Sequence, residues 1–186
     1  TLTFPPPKPK IKMQKTYPIE ILNELISDHS YFLNRGISLD TLREFKGGLA
    51  GNRGKLKNRY VFPIFTAEKN ICGFAGRSLE NDSKMKWKLL GEKNFWKYPL
   101  FLNYQLIKKT KKVILVEGIS DCLTLFTLGI RNVICLFGIE CNWEIVNLLI
   151  RYNIEKIIIS TNNDLINGGD AGNEGAEKII GRLSKY

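Results

Sequence analysis

The sequence contains a single histidine, His29, and its cysteines form no Cys-x-x-Cys pair. One histidine excludes a catalytic scheme that needs two, and the cysteine spacing excludes the common zinc and thiol-redox motifs. Each cysteine lies in an apolar stretch, so we expect buried free thiols of a reducing compartment. These four residues are Cys72, Cys122, Cys135 and Cys141.

The chain also lacks any apolar run close to the ~20 residues that a membrane-spanning helix needs. Its first residues contain no apolar core of a signal peptide. We therefore expect no membrane association and a cytoplasmic location.

Acidic residues are outnumbered, with 18 Asp and Glu against 28 Lys and Arg, which gives a net charge of +10. The excess of Lys and Arg lies mostly in the first 112 residues and predicts a polyanion as the partner. The 186 residues, 44% of them hydrophobic, can bury a core in one large domain or two small ones.

The N-terminal third begins with residues that do not predict a packed core. Residues 1–16 are rich in proline and lysine, which favours an extended arm or linker. We then expect one helix from Pro18 to Gly36, because its apolar residues recur at helical spacing. Ser38 is expected to cap a second, short helix.

From residue 59 onward the pattern becomes strand-like. Residues 60–65 and 71–76 flank a polar turn and predict a β-hairpin, with Pro63 at a sheet edge or a bulge. Residues 82–98 then interleave lysines with aromatic side chains, which suits the phosphates and unstacked bases of single-stranded nucleic acid. A surface strand with solvated lysines and buried aromatic residues explains this run equally well.

The second half of the chain predicts a β-α-β-α-β unit. The apolar run at residues 113–116 is typical of a strand that is buried on both faces. Two further strands are expected at residues 133–137 and 156–160, with helical patterns between the strands. This order predicts a parallel sheet with right-handed crossovers.

Oxygen-bearing side chains follow two of these strands. Glu117 comes directly after the first strand, and Asn162 and Asp164 come after the third. The carboxyl ends of parallel strands meet at one sheet edge, and oxygen ligands gathered there suit Mg²⁺ or Mn²⁺. Alternatively, Glu117 is only a solvated residue at a strand end, and Asp121 is only a favourable charge in a helix capped by Ser120.

The Glu117-Gly118 turn and the Asn162-x-Asp164 pattern resemble the Toprim domain of primases, topoisomerases and some nucleases. The family pattern has Asp-x-Asp in its second motif, so the uncharged Asn162 is a departure. The resemblance implies that Glu117 and Asp164 are catalytic. It also implies that a metal ion is held by Glu117, Asp121, Asn162 and Asp164.

Three upstream motifs, at residues 31–38, 59–64 and 73–77, are similar to the catalytic core of bacterial and phage-type DNA primases. The resemblance implies an α/β fold in which a smaller basic α+β subdomain precedes a Toprim-type parallel sheet flanked by helices. The implied nucleic-acid and nucleotide ligands lie on or near the family's basic positions. They are Arg59, Arg77, Lys86, Lys88, Lys97 and the neighbouring Trp87.

The implied domain organisation is an arm at residues 1–16, the basic subdomain at 17–110 and the Toprim domain at 111–186. The last Toprim strand is not found before residue 186, and the Cys/His pairs of the family's zinc module are absent. We expect a core fragment, or a short version that another chain completes.

The function that the resemblance implies is synthesis of short RNA primers on single-stranded DNA by metal-dependent nucleotidyl transfer. Its substrates would be ribonucleoside triphosphates and its partner a replicative helicase, in a bacterial cell or a phage-infected host. The missing carboxylate at Asn162 leaves a non-catalytic single-stranded nucleic-acid-binding module as an alternative. A Toprim-type nuclease is another alternative, and a topoisomerase is disfavoured because it needs a further domain that carries a tyrosine.

Overall fold

Two β-sheets of different kinds organise the chain, and a computed structural model describes them over residues 15–80, 82–161 and 171–185. The first sheet is antiparallel, and its strands lie in the order β1 (Gly48–Leu49), β2 (Arg59–Phe65), β3 (Ile71–Ser78) and β4 (Trp87–Gly91). The second sheet is parallel, and its strands lie in the order β6 (Val133–Cys135), β5 (Lys112–Val116) and β7 (Lys156–Ser160). The predicted α/β fold class is confirmed.

The described ranges also contain six helices. In chain order they are α1 (Ser30–Leu33), α2 (Leu39–Glu44), α3 (Leu100–Thr110), α4 (Ile119–Thr127), α5 (Trp143–Arg151) and α6 (Ala171–Leu183). Short 3₁₀ turns occur at Ile19–Glu24 and Lys93–Phe95. No helix in the described ranges is long and apolar enough to cross a membrane.

The single helix predicted from Pro18 to Gly36 is wrong. The chain is extended at Ile26, which exchanges backbone hydrogen bonds of 2.8 and 2.9 Å with Leu49 of β1. This long-range pairing interrupts the helical hydrogen bonds, so a 3₁₀ turn and the short α1 replace the helix. Gly36 has φ of +80°, a value that favours glycine, and the chain turns there.

The predicted β-hairpin is present as β2 and β3. Ser38 also caps α2 as predicted, since its Oγ accepts a hydrogen bond from the Thr41 N–H at 3.2 Å. Pro63 lies beyond the reach of β1, which pairs only with Tyr60 and Val61. It also precedes a register irregularity between residues 64 and 65. Both features agree with the expected edge or bulge position, because proline has no N–H to donate to a neighbouring strand.

One apolar cluster extends across both halves of the chain. Phe62 of β2 and Tyr98 are buried in it together with Val116 of β5 and Phe126 of α4. The Cys135 N–H also donates to the Tyr98 carbonyl at 2.8 Å. The two sheets are therefore held together by a shared core, while the predicted boundaries at residues 16/17 and 110/111 stay predictions.

All four cysteines are buried free thiols, as predicted. Burial raises the pKa of the Cys72 and Cys141 thiols to about 11. Burial also raises the pKa of the Cys122 and Cys135 thiols. Thiols with such pKa values are protonated at neutral pH, so none of them is suited to act as a nucleophile.

Candidate functional site

Glu117 lies at the carboxyl end of the central strand of the parallel sheet. β5 pairs with β6 on one side and with β7 on the other, and Glu117 is the residue that directly follows β5. Its backbone is fixed from the next loop, since the Gly138 N–H donates to the Glu117 carbonyl at 3.0 Å. The predicted position of Glu117 directly after the first strand of the parallel sheet is confirmed, and the structure shows that this strand is the central one.

A cleft of about 340 Å³ opens where Glu117 leaves the sheet. Glu117, Asp121 and Gly138 line one wall of this cleft, and Trp87 and Leu89 of β4 line the other. The cleft therefore lies between the parallel sheet and the antiparallel sheet. A ligand bound there would contact carboxylates on one side and an aromatic face on the other.

Asp121 has a structural partner within the cleft wall. Its Oδ2 accepts a hydrogen bond from the Gly118 N–H at 3.1 Å, at the start of α4. Gly118 is the residue that precedes the helix, so Asp121 satisfies one of the backbone donors that have no partner within the helix. The expectation that Ser120 caps α4 is wrong, because the Asp121 carboxylate occupies this role.

Two of the predicted metal ligands, Asn162 and Asp164, lie outside the described residues. Within the described ranges, no group of three His, Cys, Asp or Glu side chains could hold a metal ion. The described cleft contributes two carboxylates, Glu117 and Asp121, and no imidazole or thiol lines it. These hard oxygen donors fit Mg²⁺ or Mn²⁺ and do not fit zinc.

A thiol lies beneath the Glu117 turn. The Cys135 Sγ lies 3.8 Å from the Glu117 carbonyl oxygen and donates a weak hydrogen bond to it. Burial raises the pKa of the Cys135 thiol, and the negative charges of Asp121 and Glu117 raise the pKa further. The thiol therefore stays protonated and supports the backbone of the turn.

A row of alternating cations and aromatic rings leads to the cleft, and we call Arg35, Tyr31, Arg77 and Trp87 the cation–aromatic row. The Arg35 guanidinium carbon lies 3.7 Å from the centre of the Tyr31 ring. The Arg77 guanidinium carbon lies 6.0 Å from the Tyr31 ring centre and 5.8 Å from that of Trp87. Arg77 Nε also donates to the Tyr31 hydroxyl at 3.0 Å. Such a row can bind a sugar-phosphate backbone and stack on bases.

Alternation along β3 and β4 divides the predicted nucleic-acid ligands between two faces of the sheet. Arg77 lies directly opposite Trp87, so both side chains share the face toward the cleft. Lys88 lies opposite Gly76 and points to the other face, because successive strand residues alternate. Leu90, on the same face as Lys88, lines a separate apolar groove.

Arg59 also lies on the face away from the cleft, and its guanidinium bonds to backbone. Its Nη1 donates to the carbonyls of Gly76, Met85 and Lys86 at 3.3, 3.0 and 3.4 Å. These hydrogen bonds hold residues 85–86 against β3. Lys86 itself is exposed just before β4.

Lys97 forms a salt bridge to the half of the chain that carries the parallel sheet. Its Nζ lies 2.8 Å from Glu144 Oε2 of α5, and both side chains are about one-third exposed. The predicted nucleic-acid set therefore does not form one continuous surface. A nucleic-acid role for each of its members stays a prediction.

Lys93 belongs to the lysine and aromatic run at residues 82–98 but is not among the nucleic-acid ligands that the resemblance implies, and the structure places it beside the cleft. A second cleft of about 290 Å³ shares Phe137 and Gly138 with the first and is lined by Lys93 and Asn142. A Cβ atom added to Gly138 would lie 3.9 Å from Lys93 Nζ. Asn142 holds this loop, since its Nδ2 donates to the Lys93 and Trp96 carbonyls at 3.4 and 3.2 Å. The lysine follows Gly91 by two residues, but the sequence alone does not show that the turn brings it to Gly138.

Residues 111–186 match the Toprim domain family. The DNA primase of Borreliella burgdorferi is 35% identical to this chain over 153 residues, which cover 77% of the chain and 28% of that protein. The primase of Aquifex aeolicus, solved with its zinc-binding and RNA polymerase domains, superimposes with a TM-score of 0.74 at 26% identity. That match covers 84% of this chain and 47% of the solved one.

The chain is a relative of the bacterial DNA primase catalytic core. A solved primase catalytic domain bound to single-stranded DNA shares the fold, with a TM-score of 0.67 at 21% identity over 80% of this chain and 56% of that domain. The chain spans just over a quarter of the curated primase it matches. In this primase-like core, Glu117 lies within the residues that match the Toprim family, whereas Trp87 on the opposite wall of the cleft and the rest of the cation–aromatic row precede them.

Proposed function

We propose that this chain carries the nucleotidyl-transfer core of a DNA primase, which joins ribonucleotides on a single-stranded DNA template. The observation that carries the proposal is the cleft in which Glu117 of the Toprim domain faces Trp87 of the antiparallel sheet. A carboxylate that can hold a metal ion and a surface that can hold a polyanion then lie on opposite walls of one site.

The template path in this proposal follows the cation–aromatic row. Arg35 and Arg77 would neutralise backbone phosphates, and Tyr31 and Trp87 offer rings on which bases stack. The row ends at the cleft because Trp87 belongs to both. Single-stranded DNA bound to the related catalytic domain supports a polyanion path, and the basic N-terminal part of this chain suits one.

The reaction needs no covalent nucleophile from the protein. The 3′-hydroxyl oxygen of the growing primer forms a bond to the α-phosphorus of the incoming ribonucleoside triphosphate. The bond from that phosphorus to the bridging oxygen breaks, pyrophosphate leaves, and the hydroxyl proton passes to water. The chain's contribution is to orient these groups and to match their charge.

Glu117, Asn162 and Asp164 are the residues proposed to hold Mg²⁺ or Mn²⁺. A bound ion of this kind would supply positive charge that offsets the negative charge developing on the phosphate oxygens. Asn162 contributes an uncharged oxygen, so the site has one negative charge fewer than the family pattern. Lys93, beside Gly138, is placed to neutralise phosphate at the open end of the cleft.

A replicative helicase is the partner in this proposal, because primers are needed where the duplex is being opened. The expected location is the cytoplasm of a bacterial cell or of a phage-infected host.

The proposal is tested by primer synthesis from labelled ribonucleoside triphosphates on short single-stranded templates with Mg²⁺ or Mn²⁺. We expect metal- and template-dependent products, and we expect Glu117→Gln to lower their rate by about a thousandfold or more, as loss of a metal ligand at a phosphoryl-transfer site does. Glu117→Gln should still bind single-stranded DNA with unchanged affinity, because Glu117 is not part of the cation–aromatic row.

Three other outcomes of this experiment would contradict the proposal or favour another function. Retained synthesis in Glu117→Gln would contradict the metal-site assignment. Binding of single strands without any product would favour the non-catalytic binding module. Metal-dependent cleavage of the template, lost in Glu117→Gln, would favour the nuclease.

A further inference from the structure

The peptide group between Glu117 and Gly118 is held at both of its polar atoms. Its carbonyl oxygen accepts a hydrogen bond from the Gly138 N–H at 3.0 Å. Its N–H donates to Asp121 Oδ2 at 3.1 Å. One partner comes from the loop after β6 and the other from the first turn of α4. We call this arrangement of Gly138, the Glu117–Gly118 peptide group and Asp121 the peptide clamp.

The clamp fixes the direction in which Glu117 leaves the sheet. A peptide group is planar, so anchoring its two ends from opposite sides restricts rotation about the bonds on either side of it. One of these bonds is the Cα–C bond of Glu117, and its rotation sets how the Glu117 side chain lies relative to the cleft. Without the Asp121 hydrogen bond, the peptide group would be anchored at its carbonyl alone.

Two glycines, Gly118 and Gly138, form the backbone on either side of the clamp. Gly138 has φ of +140°, a conformation that side-chain-bearing residues rarely adopt. At Gly118, an added Cβ atom would lie 3.4 Å from Asp121 Oδ2, so the carboxylate packs closely over the turn. Both glycines allow other groups to approach the backbone next to Glu117.

We propose that Asp121 is a positioning residue: it acts on Glu117 through the peptide clamp and is not itself a metal ligand. Its Oδ2 is committed to the Gly118 N–H, and a neutral amide oxygen can accept the same hydrogen bond. The inference rests on the proposed function, since it explains how the Glu117 carboxylate of the same site is oriented. It predicts that the charge of Asp121 matters less than its acceptor oxygen.

The test compares Asp121→Asn with Asp121→Ala. Mn²⁺ affinity is measured by electron paramagnetic resonance on the full chain, primer synthesis is measured in parallel, and the melting temperature Tm is recorded. Asp121→Asn is expected to stay within about threefold of the unmodified chain in Mn²⁺ affinity and rate, since its amide oxygen can still accept from Gly118. Asp121→Ala is expected to weaken Mn²⁺ binding about 10- to 100-fold, as loss of a group that orients a metal ligand does.

Two controls accompany these variants. Thr124 lies on the exposed side of α4, and its hydroxyl donates a hydrogen bond only to the Ser120 carbonyl. Thr124→Ala should therefore leave Mn²⁺ affinity unchanged. Glu117→Gln shows how far Mn²⁺ affinity falls when a proposed metal ligand itself is removed.

If Asp121→Asn loses as much Mn²⁺ affinity as Glu117→Gln, the charge of Asp121 is required and the positioning role is overturned. If Asp121→Ala lowers Tm but leaves Mn²⁺ affinity intact, Asp121 only stabilises α4, and the role is again overturned. If the unmodified chain makes no primers while the variants change Mn²⁺ affinity as expected, the positioning role of Asp121 is supported and the proposed function is contradicted.

Discussion

The two walls of the cleft are formed in different ways: one by residues at the ends of parallel strands, the other by residues within an antiparallel strand. On the Toprim wall, Glu117 follows the central strand and is fixed in place by Gly138 and Asp121. On the opposite wall, Trp87 faces the cleft while its sequence neighbour Lys88 points away. Residues at the ends of parallel strands converge, whereas neighbours within one strand separate. Position at the end of a strand therefore predicts a shared site on the first wall, whereas closeness in sequence does not predict one on the second.

The largest effect expected from this difference is at Arg77, on the face toward the cleft. Arg77→Ala should weaken single-stranded DNA binding about tenfold, because it removes a guanidinium positioned between two aromatic rings. The salt dependence of binding should also fall, by about 0.7 in the log–log slope for each phosphate that is no longer neutralised. Fluorescence anisotropy across a salt series measures both quantities.

Lys88→Ala is the matched control, since it removes a cation from the other face of the adjacent strand. We expect a change of less than about twofold in affinity, because this lysine can act on nucleic acid in the cleft only at long, screened range. Equal reductions of affinity in Arg77→Ala and Lys88→Ala would show that nucleic acid binds to both faces of the sheet. The distinction between the two faces would then fail.

The sequence was sufficient to predict those features that depend on local pattern. The apolar run before Glu117, the hairpin around residues 66–70 and the Ser38 cap each depend on neighbouring residues. The helix expected to reach Gly36 failed because Ile26 pairs with Leu49, a partner that local periodicity cannot reveal.

In the candidate site, too, local pattern predicted some positions but not the contacts between distant residues. The position of Glu117 was predictable from the strand that precedes it, and the presence of Asp121 in the first turn of α4 was predictable from spacing. That Asp121, rather than Ser120, caps the helix depends on side-chain geometry. Lys93 was part of the lysine-rich run at residues 82–98, but its position beside Gly138 was not predictable because it depends on a loop held by the distant Asn142.

A smaller effect is expected at Arg59, whose bonds are to backbone carbonyls. Arg59→Ala should destabilise the fold by about 0.5–1.5 kcal/mol, because it removes hydrogen bonds that hold residues 85–86 against β3, while water can solvate the exposed carbonyls that are left. A change of this size lowers Tm by about 2–4 °C per kcal/mol in a chain of this length. Thermal unfolding followed by circular dichroism measures the shift.

DNA affinity separates the structural role of Arg59 from the predicted nucleic-acid role. Measured well below Tm, Arg59→Ala should bind single-stranded DNA within about twofold of the unmodified chain, since its guanidinium lies away from the cleft face. A tenfold loss of affinity with unchanged Tm would instead place Arg59 on the nucleic-acid path.

The smallest effect is expected at the ion pair that joins the two halves. Lys97 and Glu144 are 2.8 Å apart but each remains about one-third exposed, so water and salt screen their attraction. Lys97→Met should therefore cost only about 0.2–1 kcal/mol of stability.

A double-mutant cycle with Glu144→Gln isolates the ion pair from the other effects of each substitution. The coupling energy should shrink as salt is raised, because the pair is screened. A coupling that persists in high salt would mean that the pair is shielded from solvent. In that case the ion pair would belong to the interior of the junction between the two halves, beside the apolar core around Tyr98, and the junction could not be treated as a hydrophobic contact with a minor polar rim.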